Sequence, residues 1–164
     1  MCISEFENEH ICIGMQHKRI KNINYLTTLS FGILLSITSM AQSYSDAILG
    51  KWRSSDGKTV VEIYKSGNTY SGKIAALQEP NDAAGKPRTD LENPDASLRK
   101  RPLMGLVVLK NLKFKDGYWK DGDIYSSQNG KSYTCDIWLE GNDILKMKAY
   151  WYFMHQTEEW KRVK

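Results

Sequence analysis

The chain has few of the residues that build disulfide frameworks, metal sites and nucleophilic centres. It contains three cysteines and three histidines in 164 residues, and only Cys135 and His155 lie beyond residue 41. A disulfide framework and a cluster of Cys and His metal ligands are therefore excluded from most of the chain. A glycine-rich phosphate loop, a nucleophile elbow and a kinase signature are also missing. The sequence thus predicts no cofactor and no metal ion, and it offers no catalytic motif.

The chain also lacks an apolar run long enough to span a bilayer. Residues 25–38 are apolar with small hydroxyl side chains, but a spanning helix needs roughly 20 residues. A basic stretch at 17–21 precedes this segment, and the small residues Ser39-Met40-Ala41 follow it. That order is typical of a secretory signal peptide, which we predict over residues 1–41. An uncleaved membrane anchor is the alternative.

The acidic residues Glu5, Glu7 and Glu9 do not suit the start of a signal peptide, so Met15 is a candidate for the true start. After cleavage, residues 42–164 would form a single domain. The sequence therefore predicts an exported protein, periplasmic or secreted, that is not an integral membrane protein.

No segment carries a strong charge of one sign. The formal net charge is +4, and the basic residues are dispersed apart from Arg99-Lys100-Arg101. That cluster is too small for a nucleic-acid interface and is typical of a solvated turn. We predict no nucleic-acid partner, and the sequence identifies no protein partner.

What the chain does have is a series of short alternating segments separated by turns that contain glycine and asparagine. Their spacing of about eight to twelve residues predicts an antiparallel meander, and closure of a meander into a barrel removes its exposed edges. We therefore predict an all-β fold, a small antiparallel up-and-down β-barrel of about eight strands. All four prolines lie between Gln78 and Pro102, so residues 78–102 are predicted to form one long loop that is functional or mobile.

Two tryptophan motifs mark the first and last strands. In a closed barrel these strands are neighbours, so Arg162 can lie across the ring of Trp52 and donate to carbonyl groups at the barrel floor. A cation–π contact of this kind contributes about 0.5–2 kcal/mol. Gly50 allows the backbones to approach closely, and Trp160 shares a face with Arg162. We predict that these four residues plug one end of the barrel, an arrangement similar to that of lipocalin-like (calycin) proteins.

Seven short motifs in order carry a closer resemblance. They are Gly50-Lys51-Trp52, Gly72-Lys73-Ile74, Asp90-x-x-Asn93-Pro94, Arg101-Pro102-Leu103-Met104-Gly105-Leu106, Gly122-x-Ile124-Tyr125, Gly130-Lys131-x-Tyr133 and Trp160-x-Arg162. Together they resemble the DUF2147 family of small exported bacterial proteins. The resemblance implies a signal peptide, a lipocalin-like β-barrel and no established activity.

The chain departs from the family pattern in two places. Ser126-Ser127 stand where the family commonly has Asp-Pro. Large aromatic residues in the stretch 149–156 replace a Gly-Tyr-Ile-Gly-like segment on the penultimate strand. This exchange would narrow or reshape a pocket near the tip of the last hairpin, which we expect at the end of the barrel opposite the plug.

Two groups of residues are candidates for ligand binding. On the long loop, Asp90, Asn93 and Arg101 could orient a polar or anionic head group, or they could simply pin the loop. The aromatic candidates could line a cavity, or they could fill the barrel themselves, since eight strands leave an interior just wide enough for side chains or one small ligand. The aromatic candidates are Tyr125, Tyr133, Tyr150 and Tyr152.

Three functions are compatible with these features. The first is a non-enzymatic binding module for a small apolar or amphipathic ligand or an envelope partner, with the site opposite the plug. The second is an enzyme that acts on an envelope component through Asp90 and Arg101. The third is a structural or protein-interaction role with the long loop as the contact surface.

Overall fold

The computed structural model describes residues 44–164. The predicted signal peptide over residues 1–41 and the alternative start at Met15 lie outside the described residues. Within those residues, no helix is long and apolar enough to cross a membrane.

Eight antiparallel strands follow one another around a closed barrel, and the first pairs with the last. This confirms the predicted all-β, up-and-down fold. One 3-10 turn precedes the barrel at Asp46–Ile48, and another, Ala96–Leu98, lies in the long loop. The strands are β1 (Gly50–Arg53), β2 (Thr59–Ser66), β3 (Thr69–Leu77), β4 (Val107–Lys115), β5 (Tyr118–Ser126), β6 (Lys131–Glu140), β7 (Ile144–Trp151) and β8 (Met154–Val163).

The up-and-down order gives the barrel two distinct ends. The turns β2–β3, β4–β5 and β6–β7 lie at the end that also carries the first 3-10 turn, and we call this the plug end. The opposite end carries the β1–β2 connection, the β5–β6 turn, the tip of the β7–β8 hairpin and the long segment 78–106 between β3 and β4. We call it the open end. The hairpin tip thus lies opposite the plug, as the sequence indicated.

The wall of the barrel is uneven in height. β1 pairs with β8 only through Lys51–Arg53 and Lys161–Val163, whereas β7 pairs with β8 along the whole length of β7. The part of β8 from Met154 to Trp160 therefore extends past the end of β1 without a strand partner on that side.

Alternation along the strands directs one face of each strand into the core. Two glycines make room for this packing, because a Cβ on Gly72 would fall 2.9 Å from Val61 Cγ1 and a Cβ on Gly122 would overlap the side chain of Leu112. The plug half of the barrel is therefore filled by its own side chains. The most deeply buried core residues include Trp52, Ile63, Leu109, Leu112, Trp119, Cys135, Ile137 and Leu145.

Candidate functional site

Arg162 closes the plug end by binding several groups at once. Its guanidinium lies 4.1 Å from the centre of the Trp52 ring. Nη1 donates to the Leu49 carbonyl (2.8 Å), Nη2 to the Ala47 carbonyl (2.7 Å) and Nε to the Asn142 carbonyl (2.6 Å). The planar fork of arginine suits this geometry, which joins the last strand, the β6–β7 turn and the entry to β1.

The other plug residues fit around this guanidinium. Gly50 has a φ of 124°, and a Cβ there would lie 3.0 Å from Arg162 Nη1, so a side chain would crowd the charged group. The buried Trp52 indole donates to the Ile48 carbonyl at 2.8 Å. Trp160 is also buried, and its Nε1 donates to Glu158 Oε2 at 3.1 Å.

The loop candidates form a single hydrogen-bonded cluster around Asp90, which we call the loop clamp (Asp90, Asn93, Arg101 and Tyr125). Asp90 is fully buried. Its Oδ2 accepts from Arg101 Nε (2.9 Å) and Nη2 (2.7 Å) and from Asn93 Nδ2 (2.8 Å), and its Oδ1 accepts from the Tyr125 hydroxyl (2.7 Å). The clamp ties the long loop to β5.

Opposing effects act on the ionisation of Asp90. Burial raises the pKa of its carboxyl, but the hydrogen bonds from Asn93, Tyr125 and Arg101, together with the charge of Arg101, bring it below its ordinary value. Burial and the hydrogen bond to Asp90 raise the pKa of Tyr125. A carboxylate whose oxygens are occupied in this way is suited to holding the loop in place. Neither Asp90 nor Arg101 lines the cavity at the open end.

The clamp is packed against the β5–β6 turn. A Cβ on Gly130 would overlap the Glu92 carbonyl oxygen and lie 3.3 Å from Pro94 Cδ, and its φ is 68°. Only glycine therefore fits at this contact without displacing the loop.

A cavity of about 1030 Å³ lies at the open end between β5, β6, β7 and β8. We call it the open-end cavity. Its wall combines apolar and polar side chains. The residues that line it with inward-facing side chains by strand alternation are Ile124, Ser126, Tyr133, Met147, Ala149, Trp151, Gln156 and Glu158.

The remaining tyrosine candidates occupy three different environments. Tyr133 lies on the inward face at the rim, with its ring edge-on to Trp151 at 6.2 Å. Tyr150 has the opposite phase on β7, and its hydroxyl donates to Asp136 Oδ2 at 3.0 Å. Tyr152 is 100% exposed at the hairpin tip beside Phe153, which is 93% exposed. All three tyrosines border the open-end cavity, but only Tyr133 does so from the inward face, and ligand binding by these residues stays a prediction.

The sequence candidates did not include Gln156 and Glu158 on β8. The inward direction of both side chains can be read from the sequence, because Trp160 and Arg162 are predicted to lie on the inward face and residues two apart on a strand share a face. Polar residues so close to the plug motif did not suggest a cavity wall.

Cys135 is a buried free thiol, and burial, followed by the charges of Asp136 and Asp123, raises its pKa to about 12. Such a thiol is unreactive as a nucleophile. Residues 44–164 contain no group of three or more His, Cys, Asp or Glu side chains that could hold a metal ion.

A closed barrel with an Arg–Trp plug at one end and a cavity at the other defines a lipocalin-like β-barrel protein. The chain belongs to a family described as an uncharacterized protein conserved in bacteria (DUF2147), whose family model matches residues 50–162. A similar solved structure is that of HP1028 from the human pathogen Helicobacter pylori, described as belonging to the lipocalin family. It has a TM-score of 0.62 and 23% identity, and the match covers 71% of this chain and 83% of that chain. This similarity shows the fold. No curated protein matches the sequence.

Proposed function

We propose that the protein is a non-enzymatic binding module that holds a small amphipathic ligand in the open-end cavity. The observation that carries the proposal is the cavity itself, about 1030 Å³ in a barrel whose other half is filled. This volume is slightly above the roughly 300–1,000 Å³ typical of small-molecule sites. The lipocalin-like fold supports the same function.

The cavity is built in layers that follow the strand registers. Its floor is formed by Met147 on β7 and Glu158 on β8, which lie side by side, and the buried Ile137 on β6 packs next to Met147. The layer above contains Ala149, whose small side chain leaves space. At the rim, Trp151 supplies an aromatic surface. The walls can therefore contact an apolar body, while the polar groups on β8 can orient a head group.

Filling the cavity should remove binding without unfolding the barrel. We expect Ala149→Phe, which adds a ring on the inward face, to reduce binding of an eight-carbon amphiphile by roughly tenfold or more. The matched control is Thr157→Phe, which adds the same ring to an exposed position on the neighbouring strand. Binding is followed by calorimetric titration, and folding by circular dichroism. Equal binding by both folded variants would refute the cavity as the site.

The same proposal places the protein outside the cytoplasm. The order of basic, apolar and small residues before Gln42 supports export. N-terminal sequencing of protein purified from the producing cells should give a mature end near Gln42. A chain that retains residues 15–41 would contradict cleavage.

A further inference from the structure

We propose that the open-end cavity selects amphiphiles with a cationic head group, such as a primary ammonium, and that Glu158 binds this group. The inference rests on the proposed function and adds the chemical class of the ligand. It follows from the position of one carboxylate and from the lack of a cationic partner for it among residues 44–164.

Glu158 belongs to the floor of the cavity. It lies opposite Met147 on β7, and Met147 lies opposite Ile137 on β6. Both of these neighbours are buried core residues. The indole of Trp160, also buried, donates to Glu158 Oε2 from below. The carboxylate is therefore held where the filled part of the barrel ends and the cavity begins.

No cation of the described chain neutralises Glu158. Its hydrogen bonds within residues 44–164 are those from Trp160 Nε1 at 3.1 Å and from Ser55 Oγ at 3.5 Å, and both reach Oε2. Neither Lys nor Arg lies within salt-bridge distance among the same residues. A partly buried carboxylate gains most from a counter-charge where water is displaced, and a ligand that fills the cavity displaces that water.

The adjacent residue, Glu159, shows that the lack of an ion pair within residues 44–164 is specific to the inward-facing glutamate. Glu159 points outward, and its Oε2 accepts from Lys146 Nζ at 2.9 Å. Glu159 is thus paired with a cation of the protein, whereas Glu158 faces the cavity.

The other charged side chain that lines the cavity is that of Lys131, and it does not form an ion pair with Glu158. Lys131 lines the rim and is exposed to solvent. Between floor and rim, β6 runs from Ile137 to Tyr133, a rise of about 13 Å at ~3.3 Å per residue. An amphiphile with an ammonium at Glu158 would therefore place its apolar chain along β6 and against the rim aromatics.

Glu158 could also serve only as an acceptor for the Trp160 indole. Glu158→Gln separates the two roles, because the amide oxygen can still accept that hydrogen bond while the charge is removed. Glu159→Gln is the matched control, since it removes the same charge from the outward face.

The test uses octylammonium, octanol and octanoate, which share one chain and differ in head-group charge. We expect the wild-type protein at pH 7 to bind octylammonium roughly tenfold more tightly than octanoate, with octanol between them. Glu158→Gln should lower octylammonium affinity by roughly tenfold and octanol affinity by much less, whereas Glu159→Gln should change neither. Thermal melts establish that each variant is folded.

The outcomes separate the inference from the proposed function. If octanol and octylammonium bind the wild-type protein with equal affinity, and Glu158→Gln changes neither affinity, the cationic preference is wrong and the proposed binding module stands. If none of the three amphiphiles binds the wild-type protein, both are wrong. The head-group comparison on wild type needs no variant, so a preference for octanoate overturns the inference even if Glu158→Gln does not fold.

Discussion

Arg162 and Glu158 lie four residues apart on the same face of β8, yet Arg162 lies in the hydrogen-bonded plug and Glu158 lines the cavity. Arg162 is bound by three carbonyl groups and an indole ring, whereas Glu158 forms no ion pair within residues 44–164. The reach of β1 accounts for the difference, because β1 pairs with β8 only up to Lys161. On the plug side of that pairing the barrel is filled, and on the other side Gln156 and Glu158 of β8 line the cavity. The filled end of this barrel is thus separate from the end that carries the cavity.

The largest expected effect comes from breaking the plug. Arg162→Ala removes three charged hydrogen bonds and the contact with Trp52, so we expect a loss of about 3 kcal/mol in the free energy of unfolding. Chemical denaturation measures this loss. At a temperature where the variant is still folded, its affinity for octylammonium should equal that of wild type.

Arg162→Lys is the matched variant, since it keeps the charge and loses the planar fork. Its stability should fall between wild type and Arg162→Ala. Weakened ligand binding by a fully folded Arg162→Ala protein would show that the two ends are not independent.

The second effect concerns the loop clamp at the open end. Asp90→Asn removes a buried charge from the Arg101 fork, and we expect a loss of about 2 kcal/mol at neutral pH. Because the folded-state pKa of Asp90 is below its ordinary value of 3.8, its contribution is fully present above that value. It is lost as the pH falls through the lower, folded-state pKa.

The stability difference between wild type and Asp90→Asn should therefore be largest near pH 6 and shrink below about pH 4. Urea denaturation at several pH values tests this. A difference that stays constant from pH 6 to pH 3 would mean that the charge of Asp90 does not stabilise the clamp.

The smallest effect is expected on the outer part of the same loop. Arg88 Nη2 lies 2.7 Å from Glu79 Oε2 in an exposed ion pair, and such pairs contribute about 0–1 kcal/mol. Arg88→Gln should change the free energy of unfolding by less than about 0.5 kcal/mol. A loss as large as that of Asp90→Asn would show that the loop is held by its surface rather than by the clamp.

Much of the open end was not predictable from the sequence, and particular residues show why. Alternation predicts that Tyr150 and Trp151 face opposite sides, but it does not say which side is inside until the register with β6 and β8 is known. Asp90 and Tyr125 are 35 residues apart, and their hydrogen bond depends on how the long loop folds back. The cavity is lined by residues of β5 to β8 and the turns between them, and no local pattern indicates how these strands are placed around it.

The sequence by itself determined the all-β meander, the closing contact between first and last strands, and the long proline-containing loop. These follow from local rules, since strand alternation, turn glycines and proline restrictions act over a few residues. Only the tertiary structure decided where the barrel is filled and where it is hollow, that the oxygens of Asp90 are bound by its own loop and by Tyr125, and that a cavity lies beside the inward-facing Glu158. Those outcomes depend on the relative heights and registers of strands far apart in the chain.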